Sequence, residues 1–251
     1  MNIVAIIQAR TGSTRFENKV MKKLYTKTLI EHIVERIDSV ELIKKIVVAT
    51  TINEEDDKLE ALLISKNISV FRGSENNVLE RFYLAGKEYH ADIIVRVTSD
   101  DPFKDPQVIT QALTLLIDSK FDYVSNTIIP TYPEGIDIEV FTFDALKKAF
   151  INAKLKSEQE HVTPYIWKNN CKNFSIHNFS HTKDISSLRW TIDYESDFEF
   201  ANKIYNELYE ENKLFSMDDI LKVSNMKNII NKTIVQRNEG YQKSIMKEGK
   251  K

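Results

Sequence analysis

The chain has 251 residues, 35 basic against 37 acidic side chains, a formal charge of −2 and one cysteine. That length suits one large α/β domain, or one domain plus an extension, and the charge balance argues against a non-specific nucleic-acid binder. No two of the six glycines have the G-x-G-x-x-G spacing and no Gly-Lys-Ser/Thr occurs, which excludes the dinucleotide fingerprint and the Walker A loop.

The opening run Ile3-Val4-Ala5-Ile6-Ile7 turns polar at Gln8. It is too short for a signal peptide and lacks a basic flank, so a buried strand over 2–8 is expected. Thr28 precedes a helical face of Leu29, Ile30, Ile33, Val34 and Ile37. The β-branched run 45–51 predicts a second strand. Asn53 is read as the cap of a helix to about Ser65, whose acidic start Glu54–Asp57 complements the helix dipole. A strand at 68–71, a helix at 77–89 and a strand at 92–98 follow. Asp105-Pro106 then starts a helix that runs to about Asp118.

Strands are expected near 121–125 and 136–142, and helices near 144–154 and 158–169, with Pro164 a kink or break in the latter. Two more strands, 174–179 and 188–193, precede a helix from Ser196 to about Tyr209. From about Leu214 the chain becomes a Lys/Asn-rich tail, read as short helices packed on the main unit and a frayed end. The expected division is a main domain over 1–213 and an extension over 214–251. Alternation of strand and helix through the first 118 residues specifies a mostly parallel sheet with helices on both faces. Ligands of such sheets bind beyond the carboxyl ends of the strands.

No run approaches the roughly 20 apolar residues of a membrane span, so no membrane insertion is expected. Cys171 has no partner in the chain, so neither a disulfide nor a cysteine zinc site can form within it. A cytoplasmic location is the default expectation. His177 and His181 lie in an extended segment without H-E-x-x-H, which disfavours zinc.

The segment Gln8-Ala9-Arg10-Thr11-Gly12-Ser13-Thr14-Arg15-Phe16-Glu17-Asn18-Lys19 leaves the first strand where ligands of this architecture bind. Its glycine and small hydroxyl residues let backbone N–H groups approach an anion, and Arg10, Arg15 and Lys19 bring three cations. A solvated basic loop is the bland alternative. Against it, two of only eight arginines in the chain fall here.

The run IIQARTGSTR-x-x-x-K resembles the start of the cytidylyltransferase superfamily that makes CMP-activated acidic sugars, and the SpsF-type spore-coat-polysaccharide branch above all. FRGSENNVLERF at 71–82, RVTSDDP at 96–102, FDYVSNT at 121–127 and TYPEGIDIEVF at 131–141 match in order. EHVTPYIW at 160–167, LRWTIDYESD at 188–197 and RNEGY at 237–241 continue the match. The resemblance implies a Rossmann-like, GT-A-type three-layer α/β sandwich of the nucleotide-diphospho-sugar-transferase kind, with a mixed, mostly parallel sheet. It implies that the Gln8 and Ala9 backbone meets the nucleobase, with Gly12 and Ser13 in the same loop. Arg10, Arg15 and Lys19 would then hold the triphosphate of CTP, and Arg72, Gly73 and Ser74 would line the base and ribose pocket. Two departures stand out. Phe16-Glu17-Asn18 replaces the usual Leu-Pro-Gly, which puts an acid beside the phosphate site, and Ser99-Asp100 replaces Gly-Asp.

Asp100 and Asp193 each directly follow a predicted strand, so both project into one crevice. Magnesium is commonly held by one or two carboxylates plus substrate phosphates, and the resemblance gives these two positions that role. Asp101 is the rival of Asp100; turn formation and capping of the next helix are its alternatives. Asp137 and Glu139, two apart in an extended segment, face one side of the sheet. Such a pair is costly to bury unless it meets a polyhydroxylated substrate, a cation or a basic partner; an exposed edge is the other reading. Together with Tyr132 they are the candidate acceptor-binding residues. His161 either touches acceptor or packs beside Trp167.

The activity so implied is magnesium-dependent transfer of CMP from CTP to a sugar acid (nonulosonate-like), with release of pyrophosphate, for surface glycan synthesis by a homodimer. A sugar-nucleotide glycosyltransferase on the same architecture and a non-catalytic nucleotide-binding relative are the competing readings.

Overall fold

The apolar opening run forms β1 (Ile3–Gln8), whose alternate side chains fall on two sides of a central sheet. Ile3, Ala5 and Ile7 enter one core cluster and Val4 and Ile6 the other, as a strand buried on both faces requires. A computed structural model describes residues 1–13, 15–168 and 172–249. Thr14, Asn169 and Cys171 lie outside the described residues.

After β1 a 3-10 turn (Lys19–Met21) leads into a short hairpin, β2 (Lys23–Leu24) and β3 (Lys27–Thr28). The helix α1 (Leu29–Asp38) follows, closed by a reciprocal capping box between Thr28 and Glu31. Next come β4 (Lys45–Thr51), α2 (Asp57–Ser65), β5 (Ser69–Gly73), α3 (Val78–Glu88) and β6 (Ile93–Thr98). Asn53 makes no capping bond. A 3-10 turn (Glu54–Asp56) intervenes before α2, and the Asn53 amide donates instead to Glu75 at 2.7 Å. Pro106 opens α4 (Pro106–Ser119), and the Asp105 carboxylate accepts from Gln107 N at 2.8 Å.

The strands β7 (Tyr123–Ser125) and β8 (Glu139–Thr142) and the helix α5 (Phe143–Asn152) come next. The helix expected over 158–169 is two pieces, α6 (Lys156–His161) and α7 (Pro164–Lys168). Pro164 has no N–H to continue the ladder, and Val162 takes a left-handed φ of 70° at the break. β9 (Ile176–Asn178), α8 (Glu195–Leu208), α9 (Met217–Lys227) and α10 (Glu239–Glu248) complete the order.

The seven-stranded sheet runs β5-β4-β1-β6-β8-β7-β9. The first four strands are mutually parallel, β8 is antiparallel to both its neighbours, and β9 is parallel to β7. One face carries α1, α2, α4, α8 and α9, the other α3, α5 and α7. This is the expected three-layer sandwich with a mixed, mostly parallel sheet.

The expected strand 188–193 is a correction. The segment bridges two loops: Glu134 N donates to Leu188 O at 2.9 Å, Trp190 N to Glu134 O at 2.7 Å, and Ile192 N to Asp100 O at 2.8 Å. It has no place in the main sheet. Its alternating apolar residues pack into the core all the same, with Trp190 and Ile192 buried, which explains the strand-like pattern.

Chain order reverses direction across the sheet between β1 and β6, which pair in register up to Gln8 and Thr98. The loops after these two strands therefore flank a topological switch point, where open α/β sheets bind ligands. Among the described residues, no helix is long and apolar enough to cross a membrane.

Candidate active site

A cleft of about 410 Å³ lies at this switch point. Gln8 and Thr98 reach it from the ends of β1 and β6, and Asp100 and Asp193 line it as expected from the sequence. Between them sits Lys19. Its buried ammonium donates to Ile192 O at 2.7 Å, to Asp193 at 3.2 Å and to Asp100 at 3.3 Å. Burial opposes ionisation of Asp100, but the Lys19 charge and the Thr98 hydroxyl outweigh it, so its carboxyl sits below the usual range. Asp101 turns elsewhere: it pairs with Lys104 at 2.7 Å and accepts from the Thr98 hydroxyl at 2.8 Å.

Asp193 is the most connected of these acids. Besides Lys19 it accepts from Arg15 at 2.6 Å and from Arg189 at 3.0 Å. Arg189 also donates to Glu134 at 2.6 Å and pairs with Asp197 at 3.3 Å, and these carboxylates raise its pKa despite burial. Asp197 in turn accepts from the Asp193 and Tyr194 backbone, both at 2.9 Å. The position of Asp193 is thus set from the start of α8 rather than from a strand.

Gly135 lets the loop carrying Glu134 approach this segment. Its φ is +110°, and a Cβ there would stand 2.8 Å from Trp190 C and Thr191 N. Gly135→Ala is expected to destabilise the protein by about 1–3 kcal/mol from backbone strain alone, with the clash adding to it. Denaturant melts measure this; a variant as stable as the parent would mean that residues 190–191 move aside freely.

The basic loop is anchored from below. Asp56, which is fully buried, accepts from Thr11 N at 2.7 Å and Thr11 Oγ1 at 2.8 Å. Its other oxygen accepts from Thr51 N at 3.2 Å and from the Thr51 hydroxyl. Within the loop Ser13 N and Asn18 N both donate to Thr11 O. Ala9 is buried and its N–H bonds Ala49 O at 3.1 Å. Gly12 packs beside the Glu55 carboxylate, and Glu17 is exposed.

The loop's two arginines diverge. Arg10 pairs with Glu75 at 2.8 Å, on the β4–β5 side, and Arg15 with Asp193 and Glu239 on the cleft side. Gly73 ends β5 in register with Thr51. Ser74 accepts from Arg81 through its carbonyl. Arg72 is tied to Asp57 at 2.6 Å and Glu60 at 2.7 Å. The residues matched to base and ribose thus lie outside the lining of the cleft and beside the loop.

The far side of the cleft holds the candidate acceptor residues. Glu139 and Asp137 both line it, so they share a face as the two-residue spacing required, and each has a basic partner. Glu139 pairs with Arg96 and accepts from the Tyr123 hydroxyl at 2.6 Å and from Thr163. These donors outweigh burial and hold its carboxyl below the usual range. Arg96 also donates to the Gln8 amide oxygen at 3.2 Å, linking the two sides of the cleft. Asp137 pairs with Arg237, yet burial pushes its carboxyl up to about 6. His161 lines the cleft and packs edge-on against Tyr241, 5.1 Å between ring centres, with Ser244 at 3.0 Å from Nε2. Burial brings its pKa down to about 4, so the ring is neutral at physiological pH. Tyr132 is buried against Phe179 and His181 and does not line the cleft.

Several site residues had no role assigned from sequence: Asp56, Arg96, Lys104, Glu134, Arg189, Arg237 and Glu239. Most lie within the runs 96–102, 131–141, 188–197 and 237–241, so an ordered set of polar matches was the available signal; Asp56 and Lys104 lie in none of them. Chemically, the arrangement gathers two loop cations, Arg15 and Lys19, and two convergent carboxylates at one end, and a lattice of paired charges at the other. Asp100 and Asp193 already share one cation, the Lys19 ammonium. This hard-oxygen pair fits a magnesium ion completed by phosphate oxygens, although the described residues contain no cluster of three or more acids, histidines or cysteines suited to a metal.

A cytidylyltransferase family profile matches residues 4–237. The chain is 44% identical over 220 residues to an uncharacterized protein of Methanocaldococcus jannaschii, covering 87% of each. It is 34% identical over 216 residues to the Bacillus subtilis spore coat polysaccharide biosynthesis protein SpsF, covering 83% of this chain and 88% of that one. A solved cytidylyltransferase from Leptospira borgpetersenii superposes with a TM-score of 0.87 at 31% identity, over 94% of this chain and 99% of that one.

Proposed function

The chain belongs to the cytidylyltransferase family, and from that premise we propose that it transfers CMP from CTP to a sugar-acid acceptor for surface polysaccharide synthesis. The observation that carries the reading is the convergence of Arg15, Lys19, Asp100 and Asp193 at the switch point. Two kinds of relative support the finer assignments. SpsF is named for spore coat polysaccharide biosynthesis, and a Geotalea daltonii protein named 3-deoxy-manno-octulosonate cytidylyltransferase is 31% identical over 118 residues, 45% of its length.

In this reading the CTP base meets the Gln8–Ala9 backbone, with Arg72, Gly73 and Ser74 alongside, and the triphosphate lies along the loop 10–19. Arg10, Arg15 and Lys19 exchange their carboxylate partners for phosphate oxygens, which a guanidinium can grip in pairs. Asp100 and Asp193 would hold magnesium, which when bound supplies Lewis acidity at the α-phosphate and eases loss of the acceptor proton. An acceptor oxygen then attacks the α-phosphorus in line, forming the new P–O bond as the bond to the β-phosphate oxygen breaks. Pyrophosphate leaves with the electron pair, and Arg15 and Lys19 stabilise its charge. The acceptor lies between Glu139, Asp137 and His161, whose charges are internally balanced. Those groups offer hydrogen bonds to hydroxyls.

A thermal-shift panel of CTP, UTP, GTP and ATP with magnesium tests the nucleotide. A ligand at one hundred times its Kd stabilises by about 2.7 kcal/mol, which at this size is roughly 5–10 °C in Tm. CTP is expected to give that shift, and pyrophosphate release to require both CTP and a sugar acid. No release from any of the four nucleotides across sugar and sugar-phosphate acceptors would overturn the reading.

A further inference from the structure

Asn238 and the first four residues of α10, Glu239 to Gln242, line the cleft. This helix has no buried residue. What docks it is largely polar: Ser157 N and Oγ donate to Glu248 at 2.6 and 2.8 Å, and Ser244 donates to Glu160 at 2.9 Å. At its first turn Glu239 meets the nucleotide loop. One Glu239 oxygen accepts from Arg15 at 2.9 Å and from the Tyr194 hydroxyl at 2.9 Å, and the other pairs with Lys243 at 2.9 Å.

The geometry at Arg15 is a matched fork. One terminal nitrogen donates to Glu239 and the other to Asp193. These are the two nitrogens a guanidinium uses to grip a pair of phosphate oxygens. A phosphate group that grips Arg15 through both nitrogens competes with the Glu239 and Asp193 carboxylates for them.

We propose that Glu239 is a positioning residue that competes with the nucleotide's β- and γ-phosphates for Arg15, so that CTP binding frees the first turn of α10 at the acceptor side of the cleft. The inference rests on the assignment of Arg15 to the triphosphate. It makes α10 a nucleotide-responsive wall of the acceptor site: with Arg15 turned to phosphate, the Glu239 carboxylate is released to accept from an acceptor hydroxyl.

Titration calorimetry with magnesium, using CTP and CMP as probes, tests this on the full chain with Glu239→Gln and Glu239→Asp. Glutamine keeps an acceptor oxygen for Tyr194 but loses the charge, and no core packing changes because Glu239 is not buried. Removing a partly exposed competitor should tighten CTP about threefold or more. CMP, which lacks the outer phosphates, should bind unchanged, and Glu239→Asp should return CTP affinity toward the parent value. In the parent protein, hydrogen exchange of the α10 amides should quicken when CTP is added. Equal or weaker CTP binding by Glu239→Gln, an equal gain for CMP, or unchanged α10 exchange would each overturn the inference while leaving the function intact. A parent protein that binds no CTP would instead overturn the functional reading, and this inference with it.

Discussion

Asp193→Ala is expected to lower pyrophosphate release about a thousandfold while leaving the fold in place. In the proposed role of Asp193 as a magnesium ligand, its loss removes several kcal/mol of transition-state stabilisation, and about 4 kcal/mol corresponds to three decades in rate. The fold should survive because each cation on Asp193 has another partner. Arg189 keeps Glu134 and Asp197, Lys19 keeps Ile192 O and Asp100, and Arg15 keeps Glu239. A variant that melts near the parent temperature yet fails to turn over at any magnesium concentration would match this expectation. Near-normal release would remove Asp193 from the mechanism.

For Asp56→Asn the expected loss is in stability, about 2–4 kcal/mol, or roughly 5–15 °C in Tm at this chain length. Each oxygen of this fully buried carboxylate accepts one backbone N–H and one hydroxyl, from Thr11 on one side and Thr51 on the other. An asparagine must point its NH₂ at one of those pairs, setting donor against donor. The same bonds give a pH signature. Burial alone would raise the carboxyl, but the threonine donors outweigh it and hold it below the usual range. A folded pKa below the unfolded value of about 3.9 gives stability that is full above that value and drains as pH falls through the folded one. The difference between parent and variant should therefore be large at neutral pH and shrink in acid below pH 4. Denaturant melts at both pH values check it; a constant gap would show that Asp56 is not ionised in the folded protein. CTP affinity should fall along with stability, because Asp56 is what ties Thr11, and hence the loop, to the end of β4.

Asp56 also shows where reading a sequence stops. In the run Glu54-Glu55-Asp56-Asp57 the acids look equivalent, and dipole complementarity explains all four. Nothing local says that one of them turns inward to a loop 45 residues earlier. The loop itself was legible, since rare arginines, a glycine and hydroxyl residues crowd into twelve positions directly after an apolar strand. The sheet's parallel half was legible for the same reason: β1, β4 and β6 are β-branched runs buried on both faces. Residues 188–193 misled because Trp190 and Ile192 alternate like a strand's inner face, although the segment makes only an isolated bridge, between Arg189 and Glu134, and joins no sheet. The pair Asp137 and Glu139 was placed correctly on one face, but its partners Arg96 and Arg237 lie 43 and 100 residues away. Charge partners so distant in sequence leave no local spacing to read.

The reversed direction of β8 has a further consequence. Because it runs against β6, its first residue, Glu139, sits level with Arg96 near the end where β1 and β6 finish. In the proposed reading, Gln8 and Asp100 on the nucleotide side thus lie at or just past the finishing ends of parallel strands, while Glu139 on the acceptor side begins a reversed strand. The two halves are joined by the β6–β8 ladder and by the backbone bonds of residues 188–192 to Glu134 and Asp100. Substitutions at 137–138 can alter the acceptor side while the loop at 8–19, anchored separately on Asp56, is left as it is; a substitution at Glu239 reaches both sides, because its carboxylate accepts from Arg15 of that loop.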